Sequence, residues 1–303
     1  MEKADVILIH VRSVQSREKL LHDLKPRDPS QPWVMFDPET HIMSNPHLRY
    51  KYHTLNGIFN RTFHHRRDSD ILMVHGFIVG RGSDANLLPP SWRTQPILWP
   101  TTNRTKLAVT FISNCKDQSG RLKYIREFQQ FASIDVYGKC GPLRCGSSRY
   151  AQHEYQPHTD PCMITAGENY LFFFAFENAL CEDYATEKIY NLLYYPMVPV
   201  VLGAADYSQL LPPNSFINAR SFTPKQLAHR LTYLATHPQD YFKLLEWRQY
   251  YQPSTVGGAR VFCDLCTQLH DPHFYQSNVY HNFYDWYVVK ANCNRNGTMR
   301  FSN

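Results

Sequence analysis

The feature that most constrains the fold is an apolar run of seven residues, Tyr170–Phe176, which ends abruptly in Glu177 and Asn178. A strand of a parallel sheet covered by helices is buried on both faces, so it is apolar throughout rather than alternating. Ligands of such sheets bind just beyond the carboxyl ends of the strands. The run therefore predicts a central strand of an α/β sheet that ends at a binding site.

The segment after this strand predicts a helix that begins near Thr186, with apolar residues at helical spacing and with Glu187 and Lys188 in its first turn. A lysine is unfavourable at the positive end of a helix unless an anion lies in front of it. Helix N-termini are common phosphate-binding sites. The alternative, that each is a solvated first-turn residue, stays open for either residue alone. The combination predicts a phosphate-bearing ligand, and the lack of a Gly-x-Gly-x-x-Gly or Walker loop favours a nucleotide sugar.

Strands alternate with helices on both sides of a stretch rich in Gly, Pro and Cys at residues 138–161, which predicts two α/β domains. A chain of 303 residues also exceeds the usual size of one core, since domains of about 150 residues are typical. We expect an N-terminal, acceptor-side domain at 1–155 and a C-terminal, nucleotide-binding domain at 156–303. The predicted strands cover 4–11, 33–36, 70–75, 106–112, 134–137, 170–176, 198–202 and 215–217, and the predicted helices cover 121–131, 186–195 and 224–235.

The charge pattern argues against nucleic-acid binding. The formal charge is only +6, and the one dense basic run, His64–Arg67, is followed at once by Asp68 and Asp70. No window reaches the roughly 18 uninterrupted apolar residues that a membrane-spanning helix needs, and the first apolar segment is too short for a signal peptide. We therefore expect either a cytosolic protein or one whose targeting segment lies outside this chain.

Cysteines and sequons favour an oxidising, lumenal compartment. The cysteines are even in number and three Asn-x-Thr sequons occur. The close pair at Cys263 and Cys266 has no second pair at zinc-finger spacing and does not open a strand-helix unit, which argues against zinc and thioredoxin-like sites. We therefore predict structural disulfides. The candidates are Cys115, Cys140, Cys145, Cys162, Cys181, Cys263, Cys266 and Cys293, and the glycosylation candidates are Asn60, Asn103 and Asn296.

Three segments carry a resemblance to a known family: Phe174–Ala179 (FAFENA), Glu182–Lys188 (EDYATEK) and Val198–Gly203 (VPVVLG). Together they resemble the signature of the α1,3-fucosyltransferase family, and the likeness runs from about Trp33 to Cys266. The resemblance implies an inverting transferase of the GT-B architecture, in which two Rossmann-like domains face a cleft. It also implies transfer of L-fucose from GDP-β-L-fucose to O3 of a GlcNAc in the N-glycans of glycoproteins.

The family works in the Golgi lumen as type II membrane proteins. This chain lacks their N-terminal anchor and stem, so we expect a catalytic region or an incomplete gene product. The form of Cys181 and of residues 203–207 is similar to invertebrate members, for which the core GlcNAc is favoured over an antennary one. The alternatives are an inactive lumenal glycan-binding homologue and a nucleotide-dependent enzyme of another chemistry. Glu39, Arg121 and Lys188 favour the active enzyme, because a lectin needs neither a base nor a diphosphate clamp.

Inversion requires one base that takes the proton of the acceptor hydroxyl. Glu39 is the expected base, because the segment from Trp33 to Glu39 resembles the family segment that ends in the proposed base. The Ser-Pro that normally follows is replaced by Thr40 and His41 in this chain, so Asp37 is a competitor and His41 a weaker one. For the donor, the resemblance assigns Arg121 and Lys188 to the diphosphate, Glu177 and Glu187 to sugar hydroxyls, and Tyr137, Asn178 and Tyr184 to neighbouring contacts, with Ser113 and Asn114 at the same strand end.

No obligatory metal or other cofactor is expected. Arg121, at a helix start, could clamp a diphosphate across the cleft and so replace a divalent ion. The Asp68-Ser-Asp70 segment superficially resembles a metal-binding Asp-x-Asp motif, but it adjoins Arg66 and Arg67 and leads straight into an apolar strand, so ion pairing is the simpler interpretation. Stimulation by Mn²⁺ stays open.

Overall fold

The apolar run Tyr170–Phe176 forms a strand inside a five-stranded parallel sheet in the computed structural model of the chain, as predicted. Six of its seven residues are buried, because it pairs with a strand on each side and helices pack against it. The structure describes residues 4–48, 50–81, 104–146, 160–254, 259–276 and 278–293.

Strands and helices are numbered in chain order. The strands are β1 (Ile7–His10), β2 (Trp33–Asp37), β3 (Arg61–His64), β4 (Ile71–Leu72), β5 (Phe77–Gly80), β6 (Lys106–Phe111), β7 (Ile134–Tyr137), β8 (Tyr170–Phe176), β9 (Val198–Leu202), β10 (Ile217–Asn218) and β11 (Tyr251–Ser254). The α-helices are α1 (Arg17–Asp23), α2 (His41–Ser44), α3 (Arg121–Phe128), α4 (Pro161–Asn169), α5 (Glu187–Leu192), α6 (Pro224–Thr236), α7 (Pro238–Lys243) and α8 (Ala259–Leu269).

The first unit comprises the described residues within Met1–Val74, Ala179–Tyr184 and Gly258–Asn294. Its parallel sheet has the order β1-β2-β3-β4. The core joins both ends of the chain, since Phe59 packs against Phe283 with ring centroids 4.8 Å apart.

The second unit comprises the described residues within His75–Asn178 and Ala185–Gly257. Its main sheet has the order β10-β9-β8-β6-β7, and β5 and β11 form a separate antiparallel pair. Helix α6 begins at a capping box in which Thr223 and Gln226 bond each other's main chain. All pairings of the main sheet are parallel, so the carboxyl ends of its strands meet at one edge.

The division into units differs from the predicted domains. The predicted boundary after residue 155 lies outside the described residues. β6 and β7 belong to the second unit because β6 pairs directly with β8, and the chain from residue 259 to 293 packs with the first unit. Both assignments depend on contacts between residues far apart in the sequence, which the order of strands and helices does not reveal.

None of the helices in the described ranges is both long enough and apolar enough to cross a bilayer.

Candidate active site

A cavity of about 530 Å³ opens in the second unit at the carboxyl edge of its five-stranded sheet. Its walls come from residues that follow β6, β7 and β8, and from α3, α4 and α5. This is where open α/β sheets bind their ligands. Seven of the residues predicted from the sequence line it: Ser113, Asn114, Arg121, Tyr137, Asn178, Glu187 and Lys188.

Lys188 is already paired with an anion, and that anion is Glu177. Its Nζ lies 3.1 Å from Glu177 Oε2, and the same carboxylate accepts hydrogen bonds from the main-chain N–H and the hydroxyl of Thr186. Glu177 is 1% exposed and does not line the cavity. The sequence predicted a phosphate in front of α5, whereas the structure has a protein carboxylate in this position. The placement of Lys188 is therefore explained without a ligand.

Lys188 and Glu187 are held in their charged forms. Burial lowers the pKa of Lys188, but the charges of Glu177 and Glu187 raise it more, so the pKa lies above the usual value for lysine. Burial raises the pKa of Glu187, but the charge of Lys188, 3.6 Å away, and the nearby His75 hold that pKa well below its usual range. The cavity wall at α5 is thus a fixed array of charges at neutral pH.

Arg121 is buried in the cavity wall and is anchored to the ends of two strands. Its guanidinium donates to the carbonyl oxygen of Phe176 at 2.8 Å and to that of Asn114 at 3.0 Å. The structure thus places Arg121 as a rigid positive charge in the wall of this unit, whereas the sequence suggested an extended clamp. A fixed cation needs no rearrangement when an anion binds.

The cavity residues that were missed from the sequence include Lys139, Arg144 and Asn191. Lys139 and Arg144 are exposed in the loop after β7, which two disulfides, Cys115–Cys140 and Cys145–Cys162, tie to the sheet and to α4. The Gly, Pro and Cys content of this loop predicted only a connector, although the loop follows the carboxyl end of a parallel strand just as Glu177 does. Among the described lining residues, four side chains are cationic and two are carboxylates, which favours an anionic ligand.

Gly138 allows the loop after β7 to approach the sheet closely. Its φ is +99°, and a Cβ at this position would lie 2.5 Å from the carbonyl oxygen of Ile112. Only glycine adopts such a conformation at so close an approach. The predicted cavity residue Tyr137 is held beside it, because its own carbonyl accepts the N–H of Ile112.

The candidate bases lie at the carboxyl end of β2 in the first unit. Asp37 is fully buried and accepts hydrogen bonds from the hydroxyls of Ser44 and Tyr287 and from the N–H of Glu39. Burial raises its pKa to about 6. His41 is also buried, and its Nδ1 lies 3.7 Å from Cys293 Sγ. Glu39 is the one of the three candidates that is only half-buried, so a substrate can reach its carboxylate.

Tyr184 was predicted to contact the donor, but it belongs to the first unit and does not line the cavity. Its hydroxyl donates to Glu39 Oε2 at 2.7 Å. The chain turns sharply just before it, at Asp183, where φ is +58°. Nearness in sequence to Glu187 and Lys188 was therefore a poor guide to its position.

Six of the eight cysteines form disulfides: the two pairs near the cavity and Cys181–Cys293 in the first unit. Cys263 and Cys266 are exposed on α8 and are not bonded in this structure, which differs from the prediction.

The Asp-x-Asp segment is engaged by protein groups, as predicted for Asp68. Its carboxylate accepts two hydrogen bonds from Arg66, at 2.8 and 2.7 Å. Asp70 instead accepts from the main chain and hydroxyl of Thr62 and from the hydroxyl of Tyr280. The described residues contain no group of three His, Cys, Asp or Glu side chains arranged to hold a metal ion.

Among the sequons, Asn60 takes part in the fold. Its Nδ2 donates to the carbonyl of Asn278 at 2.9 Å, and its Oδ1 accepts from Trp33 N–H and Arg27. Asn103 and Asn296 lie outside the described residues. Glycosylation of all three stays a prediction.

Known proteins share both units of this chain. Residues 1–76 match the family described as "Fucosyltransferase, N-terminal", and residues 101–286 match "Glycosyltransferase family 10 (fucosyltransferase) C-term". This chain belongs to glycosyltransferase family 10. The resemblance predicted from the sequence is thereby confirmed.

Members of family 10 align with most of the chain. It is 35% identical over 245 residues to alpha-(1,3)-fucosyltransferase C of Drosophila melanogaster, a match that covers 76% of this chain and 54% of that protein. It is 34% identical over 281 residues to 3-galactosyl-N-acetylglucosaminide 4-alpha-L-fucosyltransferase FUT3 of Bos taurus, covering 91% of this chain and 69% of that protein. The chain thus spans about half the length of the fly relative.

A solved α1,3-fucosyltransferase structure overlays on the chain with a TM-score of 0.54 at 15% sequence identity, covering 90% of this chain and 80% of that one. At this identity the likeness shows the fold alone. It confirms the predicted α/β fold class of the GT-B type.

Proposed function

We propose that this family 10 member transfers L-fucose from GDP-β-L-fucose to O3 of a GlcNAc, with inversion at the anomeric carbon. The observation that carries the proposal is the cationic cavity at the carboxyl edge of the second sheet, where Arg121 and Lys188 lie beside Ser113, Asn114 and Tyr137. An anionic, phosphate-bearing donor fits this charge. The name of the fly relative supports fucose as the transferred sugar and α1,3 as the linkage.

The second unit is proposed to bind the donor. The guanidinium of Arg121 and the ammonium of Lys188 stabilise the negative charge that grows on the diphosphate as the sugar leaves. Lys139 and Arg144 attract the nucleotide at the cavity rim. Glu187 is proposed to bind a sugar hydroxyl, because its carboxylate is ionised and half-exposed. Glu177, by contrast, acts behind the wall by holding Lys188.

The first unit is proposed to supply the base. The carboxylate of Glu39 takes the proton of the acceptor O3 hydroxyl while O3 bonds to C1 of fucose. The bond from C1 to the β-phosphate oxygen breaks in the same step, and GDP leaves with the electron pair. One displacement turns the β-linked donor into an α-linked product.

The acceptor is proposed to be a glycoprotein N-glycan, with the core GlcNAc favoured. A specific observation supports a second candidate, since the bovine relative is named for a galactosyl-N-acetylglucosaminide acceptor, which is an antennary structure. The three disulfides of the described cysteines fit an oxidising lumen such as the Golgi. In the family this compartment is reached with a membrane anchor. The proposed donor chemistry uses fixed cations, with no obligatory metal.

The test is incubation of the purified protein with GDP-fucose and a panel of acceptors, followed by mass and linkage analysis. The panel contains core N-glycans with exposed GlcNAc, galactosylated antennae of both linkage types, and glycans without GlcNAc. Matched reactions with GDP-mannose control for donor specificity, and reactions with EDTA or Mn²⁺ measure metal dependence. A fucose added to O3 of the core GlcNAc is the expected product.

Binding without transfer would identify the alternative, an inactive glycan-binding homologue. In that case calorimetry detects glycan binding but no uptake of GDP. Transfer from another nucleotide sugar alone would refute the donor assignment, and fucose found only on galactosylated antennae would replace the core by the antennary acceptor.

A further inference from the structure

One short segment of chain brings a tyrosine to the proposed base. Residues Ala179–Tyr184 belong to the first unit although the residues on either side of them belong to the second. At the end of this segment the Tyr184 hydroxyl donates to Glu39 Oε2 at 2.7 Å. The other carboxylate oxygen of Glu39, Oε1, has no hydrogen-bond partner among the described residues. The contact therefore occupies one oxygen of the base and leaves the second available.

The segment is fixed at several points, so the tyrosine is rigidly held. A disulfide joins Cys181 to Cys293, and the N–H of Glu182 donates to the carbonyl of Ala291 at 2.9 Å. Tyr184 itself is 1% exposed and packs in one apolar cluster with Ile42 and Met43. A side chain restrained in this way can hold its hydrogen-bond partner without loss of further conformational entropy.

Among the described residues, the Tyr184 hydroxyl is the main polar partner of the Glu39 carboxylate. The other titratable groups around the pair are Asp37 on β2, His41 on α2, His64 and His65 at the end of β3, and the Arg67–Asp183 ion pair beside Tyr184. Burial lowers the pKa of His64 to about 3, so this ring is neutral, and its Nε2–H donates to the main-chain oxygen of Glu39 at 3.2 Å. The Arg67 charge is matched by Asp183 at 3.6 Å.

We propose that Tyr184 is a positioning residue for the base, which orients the Glu39 carboxylate so that Oε1 can take the acceptor proton. A base contributes most when it is held in the productive geometry. The role in catalysis rests on the proposed function, whereas the contact and the restraint it places on the Glu39 carboxylate do not. Tyr184 has no proposed contact with the donor.

The test compares Tyr184→Phe with a matched control, Tyr280→Phe. The control removes the same kind of bond in the same unit, because the Tyr280 hydroxyl donates to Asp70 Oδ2 at 2.8 Å. NMR of the glutamate carboxyl carbons at neutral pH follows the environment of Glu39 directly, with its signal identified by its loss in Glu39→Gln. Values of kcat and of KM for GDP-fucose are measured on the same three proteins and on the wild type.

In Tyr184→Phe we expect the Glu39 carboxyl-carbon signal to move or broaden, because the carboxylate loses the hydrogen bond that restrains it. Since a hydrogen bond to a charged group is worth about 1.5 kcal/mol or more, kcat should fall by about tenfold while KM for GDP-fucose is unchanged. In Tyr280→Phe neither the Glu39 signal nor kcat changes.

The proposal is overturned if the Glu39 signal and kcat are the same in Tyr184→Phe and the wild type, or if Tyr280→Phe changes them equally. A higher KM for GDP-fucose with an unchanged kcat would instead show that Tyr184 contacts the donor. If the wild type transfers no fucose, the proposed function fails by itself, and the NMR comparison still decides whether Tyr184 restrains the Glu39 carboxylate.

Discussion

The carboxyl edges of the two parallel sheets use their charged side chains in opposite ways. At the edge of the first unit, the carboxylates of Asp37 and Glu39 accept hydrogen bonds from the neutral hydroxyls of Tyr287 and Tyr184. At the edge of the second unit, Lys188 is paired with the carboxylate of Glu177. Neutral partners leave the charge of a carboxylate in place, whereas a charged partner cancels it.

This difference suits each edge to a different part of one reaction. An uncompensated carboxylate in the first unit can accept a proton. The second unit keeps a surplus of positive charge even after Glu177 is counted, because Arg121, Lys139 and Arg144 also line its cavity. The same position in two related sheets can therefore serve as a base or as an anion site, depending on what the edge residues touch.

The largest loss of activity is expected when the carboxylate of Glu39 is removed. Glu39→Gln keeps the shape of the side chain but cannot take a proton, so kcat should fall by roughly 10²- to 10⁴-fold, the range for a general base. GDP affinity should be unchanged, because Glu39 lies in the other unit from the cavity. Steady-state kinetics and calorimetry with GDP measure the two quantities.

Glu18→Gln on α1 is the matched control, since it removes an exposed glutamate from the same unit. Its kcat should equal that of the wild type. Full activity of Glu39→Gln would exclude Glu39 as the base and leave Asp37 as the candidate. The proposed contrast between the two sheet edges would then no longer hold for Glu39.

The charged pair of the second edge can be broken from either side. Lys188→Met leaves Glu177 buried without its cation, which should cost about 3 kcal/mol of unfolding free energy and weaken GDP binding about 100-fold. Lys188→Met/Glu177→Gln removes both charges, so stability should largely return while GDP binding stays weak. Urea unfolding and calorimetry measure these effects. If the double variant binds GDP as the wild type does, Lys188 serves only to neutralise Glu177.

The stability contributed by Asp37, at the carboxyl edge of the first sheet, should depend on pH. Burial raises its pKa to about 6, above the value of 3.8 for an exposed aspartate. The folded state therefore binds this proton more tightly than the unfolded state, and this contribution to stability is full below about pH 4 and is lost as pH rises through 6. Relative to Asp37→Asn, the wild type should lose about 2 to 3 kcal/mol between pH 4 and pH 7.

Urea unfolding of both proteins across this pH range checks the prediction, because the difference between them cancels all other titrating groups. A pH-independent difference would mean that the three hydrogen bonds to Asp37 offset its burial, and a wild type that gains stability as pH rises would mean that they outweigh it.

These residues differ in how far the sequence could predict them. β8 and the cavity at its carboxyl end were predicted because a long, wholly apolar run marks a buried parallel strand and because a general rule places ligands at its end. β3 was missed because Arg61–His64 is polar. It is buried all the same, since Arg61 donates to the carbonyls of His273 and Gln276, more than 200 residues away.

The contacts that Tyr184 and Glu177 make could not be predicted from a local sequence pattern. Tyr184 meets Glu39 across 145 residues of sequence, and a local pattern contains no information on such a pair. Glu177 and Lys188 are only 11 residues apart, yet the sequence could not distinguish an internal carboxylate from a bound phosphate as the anion at α5. Both a carboxylate and a phosphate are anionic, and both can accept hydrogen bonds from the first turn of α5.

Asn191 was missed although it is close to the predicted residues, and it gives the most delicate test of the second edge. It is buried and lines the cavity, but its Nδ2 has no hydrogen-bond partner within the described part of the chain. A buried donor without a partner costs about 1 to 3 kcal/mol, and we propose that a ligand bound in the cavity supplies the acceptor for Asn191.

Asn191→Ala should thus weaken GDP binding about fivefold to tenfold while the free protein unfolds at the same or a higher urea concentration. Asn169→Ala, at the exposed end of α4, controls for loss of an amide. A less stable Asn191→Ala variant with unchanged GDP affinity would show that the amide serves the fold, and the anion-binding role of this edge would then depend on its cations alone.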